Sequence, residues 1–337
     1  MRRVFASLLG LIFVGALLLF GAALWWLHEP LSLQTPPGST VVDLEIEPGT
    51  PASGVADAVA RSGVNTPALL LHAWFRLSGQ ARMIKAGSYE ITPGTTPRKL
   101  LSMLVRGEEA LKSVTLVEGW TFTQVRAALQ RAEQLTPDTA GLPPTAIMEK
   151  LGKPGVHPEG RFFPDTYTYA KGSSDLAVLK RAARAMDKRL AAAWAQRQPD
   201  TPLKSPDEAL ILASIIEKET GKPADRPQIG GVFVNRLRIG MLLQTDPTVI
   251  YGMGERFDGN LRRRDLQTDT PYNTYTRGGL PPTPIAMPGR ASLLAAVQPA
   301  TTKALYFVSL GDGSGGSYFS ETLDEHNRAV NKYQRNQ

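Results

Sequence analysis

From Val4 to Leu27 the chain carries no charged residue, a run of 24 positions that constrains the fold more than any other feature. As a helix it spans about 36 Å, enough to cross a ~30 Å hydrocarbon layer with some tilt. A cleaved signal peptide is the alternative, with Gly21–Ala23 as a weak cleavage site. The apolar core is longer than the roughly 7–15 residues usual for a signal peptide, so an uncleaved anchor is expected. Arg2 and Arg3 favour a cytoplasmic N-terminus, and Trp25 and Trp26 suit the opposite interface. Either reading puts residues 28–337 outside the cytoplasm and removes nucleic acid as an expected partner.

The chain has 337 residues, a formal net charge of +7, four histidines and no cysteine. This length predicts two or more domains. The absent cysteines exclude disulfides, a thiol nucleophile and a thiolate zinc site. His28, His72, His157 and His326 are scattered without His-x-x-x-His spacing, so no metal site is expected. No Gly-x-Ser-x-Gly pentapeptide marks a serine hydrolase. Gly311–Gly316 lacks the Lys-Ser/Thr of a phosphate-binding loop and reads as a hairpin turn. No cofactor is expected. The 36 basic and 31 acidic residues beyond Arg3 suit an anionic surface or polymer.

Pro30–Ser39 reads as a linker, and Val41–Ile46 alternates like a strand. Helices through Val55 and Val59 and over Thr66–Leu77, a strand ending at Ile91, and a short helix stopped near Gly107 follow. The strand, acidic-Gly turn and helix order at 44–50 recurs at 114–121. Thr136–Pro144 reads as a loop, and Asp175–Arg197 as a long helix with one basic face. Ser205-Pro206-Asp207-Glu208 is a capping box opening a helix to Thr220, with Gly221 and Pro223 as its stop. A helix near Ala291–Val297, a strand at Leu305–Ser309, a hairpin and a helix from Glu321 close the chain.

The remaining chemistry is one of carboxylates, amides and tyrosines. On a helical wheel Glu217 shares a face with Leu210, Ala213 and Ser214, while Glu219 points nearer Leu212 and Ile215. The two carboxylates therefore do not face each other across one glycosidic bond, as a retaining or inverting pair must. One of them as a lone acid, or both as solvated helix-end charges, are the readings that spacing allows.

Ala213-Ser214-Ile215-Ile216-Glu217-Lys218-Glu219 is followed by Val-Phe-x-Asn-Arg-Leu, Leu-Gln-Thr-Asp-Pro-Thr, Tyr-Asn-Thr-Tyr and Gly-Leu-Pro-Pro segments. With Glu159–Tyr167, Tyr306–Val308 and Glu325–Asn327, this order resembles the endolytic murein transglycosylase (MltG, or YceG-like) family across the whole chain. The resemblance implies cleavage of MurNAc–GlcNAc bonds inside nascent peptidoglycan without water, leaving 1,6-anhydro ends. It implies Glu217 as the single general acid/base, with Glu219, Asn235, Gln244, Asp246, Tyr272 and Asn273 binding substrate or supporting it. It also implies an α+β fold: anchor (1–27), linker (28–40), LysM-like α/β subdomain (41–110) and mixed α/β catalytic domain (111–337). Peptidoglycan strands, the inner membrane and peptidoglycan synthases are the implied partners, with the catalytic part periplasmic. Arg161 and Ser317 depart from the family's usual tryptophan and histidine. A glycan-binding scaffold, and a hydrolase with Asp246 or Asp165 as base, are the rival expectations.

Overall fold

The structure, a computed structural model, describes residues 2–35, 40–108, 111–219 and 222–335, and for 2–9, 11, 12 and 335 the backbone alone. The chain divides into two compact units, Met1–Lys112 and Ser113–Gln337.

In the first unit the uncharged run forms α1 (Arg2–His28). Leu18, Leu19, Phe20 and Trp25 of α1 stand exposed. Trp26, expected at a membrane interface beside Trp25, instead packs against the unit's own core. Among the described residues no helix is long and apolar enough to cross a membrane. The anchor is thus an expectation from the sequence alone. Part of the expected linker, 36–39, lies outside the described residues.

β1 (Val42–Ile46), α2 (Ala52–Arg61), α3 (Ala68–Leu77), β2 (Gly87–Ile91) and α4 (Pro97–Arg106) follow. Alternation in β1 becomes alternation of burial, with Val42, Leu44 and Ile46 inward. β1 pairs antiparallel with β2, Val42 opposite Ile91. Thr96 caps α4 by accepting from the Lys99 N–H, and left-handed Gly107 ends it at the expected place.

The second unit begins within β3 (Leu111–Thr115), whose first two residues precede it, and goes on with α5 (Phe122–Arg131), α6 (Pro144–Lys150), β4 (Thr166–Ala170), α7 (Asp175–Ala195), α8 (Pro206–Glu219), α9 (Arg226–Arg238) and α10 (Asp246–Met253). It closes with α11 (Arg263–Gln267), α12 (Arg290–Val297), β5 (Tyr306–Ser309), β6 (Ser317–Ser320) and α13 (Leu323–Val330). Among the described residues three sheets have two strands each, β1–β2, β3–β4 and β5–β6, so the class is α+β with small sheets.

Two apolar cores fill this unit. One joins β3, α5, α6, β4 and the first half of α7 around Phe162 and Leu179. The other joins the end of α7 with α8, α9 and α12 around Leu212, Ile216 and Phe233. α8 is its axis and is buried from Ala209 to Glu217 apart from Ile211. Ser205 Oγ accepts from the Glu208 N–H at 3.2 Å, as the cap predicts, but the Glu208 carboxylate turns back to the Lys204 N–H at 2.6 Å. The helix is described as far as Glu219, and the expected stop at Gly221 lies outside the described residues.

α9 is an element that the sequence reading does not isolate. Its Gly230 and Gly231 argue against a helix by propensity, whereas Pro227 stands in the first turn, where proline is accepted. Packing reverses that preference. A Cβ on Gly230 would lie 2.5 Å from the Ala295 carbonyl, and one on Gly231 2.7 Å from that of Ala300. The missing side chains let the end of α12 and the segment after it lie directly on α9, and the buried area offsets the entropy that glycine loses in a helix.

Candidate active site

The two glutamates at the end of α8 lie in different surroundings, as the wheel requires. Glu217, with a side chain 4% exposed, accepts from Arg226 Nη2 at 2.9 Å and from the Gly289 N–H at 2.8 Å. Gly289 is the N-cap of α12, so the carboxylate also meets the positive end of that helix. Glu118 lies beside it, 4.0 Å from Arg226 Nη2. Burial raises the Glu118 carboxyl above the usual range, the Glu217 charge raises it further, and Arg226 lowers it. Glu217 is thus one member of a buried ion pair joining α8, α9 and α12.

Glu219 opens instead on a cleft of about 530 Å³ lined by residues of α8, α9, α10, β5, β6 and α13. Gln244, Asp246, Arg236, Tyr275, Tyr306 and His326 are among its walls. Thr245 Oγ1 donates to Glu219 Oε1. Burial pushes the Glu219 carboxyl up to about 7, the Thr245 hydrogen bond lowers it, nearby Asp246 raises it and Arg236 lowers it. The group therefore exchanges its proton near neutral pH, the property a general acid/base needs.

Arg236 is fixed beneath the cleft. Its Nε donates to the Leu305 carbonyl at 2.6 Å and its Nη1 to that of Leu243 at 2.8 Å. Its guanidinium lies 5.2 Å from the Tyr306 ring centre, and the Tyr306 ring stacks on His326 at 5.2 Å. Burial, then Arg236, lowers the His326 imidazole below its ordinary value, favouring the neutral ring. Tyr275 donates to Asp246 Oδ1 at 2.5 Å. Gln244 holds a left-handed backbone, φ 50°, that glycine favours. Such strain in a cleft wall is held only where the surroundings over-determine it, here by the bond from the Gln244 N–H to the Thr274 carbonyl.

Of the seven residues singled out from sequence, Glu219, Gln244 and Asp246 meet in this cleft. The others do not line it. Asn235 Nδ2 ties down the Thr302 and Ala304 carbonyls. Asn273 is 1% exposed and caps the end of α11, with Nδ2 bonded to the carbonyls of Leu266 and Thr268. Tyr272 bonds Thr283 at 2.8 Å and packs edge-on against Tyr251. Glu217 lies in its ion pair. Asp165, the second base considered, is an exposed partner of Arg189. Tyr275, Arg236, Tyr306 and His326 enter the site from segments whose sequence signals are equally those of packing. Among the described residues no His, Cys, Asp and Glu group fit to hold a metal ion occurs.

Glu159 is a second carboxyl pushed up to about 7, by burial against bonds from Tyr251, the Phe122 N–H and Gly160. Its Oε1 accepts from the Phe122 N–H at 2.9 Å and its Oε2 from Tyr251 at 3.0 Å, so it ties α5 to α10. A carboxyl raised on folding from 4.5 gives stability that is whole below about pH 4.5 and lost as pH rises through about 7. Glu159→Gln therefore flattens the fall in melting temperature across that window, as thermal unfolding from pH 5 to 8 will record.

The sequence model of the YceG-like family matches residues 44–332. The endolytic murein transglycosylase of Bacillus subtilis (strain 168) is 31% identical over 339 residues, 96% of this chain and 91% of that relative. The protein of the same name from Streptococcus pneumoniae serotype 2 is 27% identical, over 73% of this chain and 50% of its own. A crystal structure of a YceG-like protein from Listeria monocytogenes matches with a TM-score of 0.52 and 28% identity, covering 88% of this chain and 99% of that one.

Proposed function

The chain belongs to the YceG-like family, and from that premise we propose that it is a lytic transglycosylase cutting within peptidoglycan strands, with Glu219 rather than Glu217 as its acid/base. The observation that carries this reading is a buried carboxyl of near-neutral pKa opening on a polar, tyrosine-lined cleft. Glu217, two residues away, is already held by a cation and a backbone N–H.

In the forward step Glu219 gives its proton to the glycosidic oxygen as the bond to the anomeric carbon breaks. The 6-hydroxyl of the same sugar then closes on that carbon, and its proton returns to the Glu219 carboxylate. No water is consumed, the acid is restored, and the product ends in a 1,6-anhydro sugar. One residue suffices because the substrate supplies the nucleophile. Arg236 holds a positive charge beneath the carboxylate while it is ionised.

Asp246 lines the same cleft, which favours a second reading: hydrolysis, with Asp246 activating water. Mass spectrometry of glycan digested by the purified protein separates the two. Anhydro ends are expected, free reducing ends support hydrolysis, and intact strands support a binding scaffold.

The proposal extends to location. α1 holds the chain at the inner membrane with the residues beyond it, the LysM-like β1–α2–α3–β2 unit among them, in the periplasm. The uncharged run and the exposed apolar side chains of α1 support this. A membrane-held cutter of nascent strands acts beside the synthases that extend them and ends their elongation. Recovery of the full chain in the soluble fraction would sink the anchor.

A further inference from the structure

Thr245 is the N-cap of α10, yet its side chain makes no capping bond. A threonine at that position ordinarily accepts from an N–H of the first turn. Here the hydroxyl donates to Glu219 Oε1 instead.

The residues around Thr245 hold its backbone on both sides. Its N–H donates to Thr274 Oγ1 at 3.1 Å, and its carbonyl accepts from Thr248 Oγ1 at 2.8 Å. Thr248 and Thr274 are in turn 2.9 Å apart, oxygen to oxygen. The Thr248 hydrogen is committed to the Thr245 carbonyl, so Thr274 is the donor in that contact. All three threonines are at most 2% exposed. Each hydroxyl hydrogen is thereby assigned, and the last points at the acid. β-Branching at Thr245 limits its χ1 further.

From this arrangement we propose that Thr245 is a positioning residue for the acid: its hydroxyl fixes the Glu219 carboxyl in one rotamer and reserves Oε1, so that the proton to be transferred sits on Oε2. The inference rests on the assignment of Glu219 given above. It explains why the Leu-Gln-Thr-Asp-Pro-Thr and Tyr-Asn-Thr-Tyr segments carry threonines that touch one another. Together they form the frame that aims one hydroxyl.

The test compares Thr245→Val, which keeps shape and branching, with Thr245→Ser, which keeps the hydroxyl, in the full-length protein. Activity on peptidoglycan strands is followed from pH 5 to 9. The other titratable groups facing Glu219 are Asp246 from α10, Arg236 from α9, Tyr275, Tyr306 from β5 and His326 from α13, and all are present in every variant. Loss of the hydroxyl removes a bond that favours the carboxylate. The expected result for Thr245→Val is a kcat lower by roughly tenfold at unchanged KM, with the fall of activity on the alkaline side moved up by about one pH unit. Thr245→Ser restores the wild-type profile. A lower kcat with the alkaline fall unmoved, or failure of serine to restore it, overturns the positioning role. Glu219→Gln is run alongside. If it keeps full activity, the assignment of the acid fails first and this inference with it; if it is inactive, the Thr245 result stands alone.

Discussion

Glu219→Gln is expected to lower glycan cleavage by about 10²–10⁴-fold while the protein stays folded. The amide oxygen still accepts from Thr245, so the cleft keeps its shape, and only the transferable proton is lost. In the unmodified protein kcat/KM falls as pH rises through about 7, because the acid form of Glu219 starts the reaction. Stability moves in the same direction. The folded carboxyl sits above its ordinary 4.5, so its contribution is complete below about pH 4.5 and is lost as pH rises through about 7. Above that pH the glutamine variant melts no lower than the parent. Glu159 titrates in the same window, so the comparison is made against Glu159→Gln as well. A glutamine variant with undiminished turnover sinks the assignment.

Arg226→Leu is expected to act on the fold instead of the chemistry. It leaves the Glu217 carboxylate, 4% exposed, with the Gly289 N–H but no cation. Removing one partner of a buried pair costs about 3–5 kcal/mol. For a unit of this size that lowers the melting temperature by roughly 10 °C. Replacing Glu217 by leucine in the same protein recovers much of the loss, because an apolar pair has no charge to desolvate. Glu217→Gln alone is milder: the amide still accepts from Gly289, and Arg226 keeps Glu118 at 4.0 Å. Its activity per folded molecule is expected to persist. Calorimetry and cleavage on the same samples decide this. A Glu217→Gln protein with unchanged melting but no turnover would return the acid to Glu217.

These two experiments test a distinction that helix periodicity raises but cannot resolve. The wheel separates Glu217 from Glu219 without saying what stands opposite each. Opposite Glu217 stand Arg226, nine residues on, and Gly289, 72 residues on. Opposite Glu219 stands Thr245, 26 residues on. A resemblance carries a motif to a helix, and the neighbours of each side chain set its surroundings.

Amides were the least legible residue type. Asn235 and Asn273 stand in segments that resemble the family's motifs, and both are committed to backbone carbonyls. An asparagine offers the same donor and acceptor to a sugar as to a loop, so its type alone does not distinguish the two. Tyrosine shares this ambiguity: Tyr275 reaches the cleft, while Tyr272, three positions earlier, packs on Tyr251.

By itself the sequence determined the elements with strong local signals. The uncharged run of α1, the alternating β1, the capped start of α8 and the glycine stop at Gly107 need only periodicity, caps and backbone freedom. It also excluded thiol chemistry, because there is no cysteine to supply it. Tertiary structure alone decided what non-local contact creates. α9 forms despite its two glycines because Gly230 admits α12 and Gly231 the segment after it. The Glu219 carboxyl is pushed up because burial and the partners across the fold, not the residue type, govern where a carboxyl titrates.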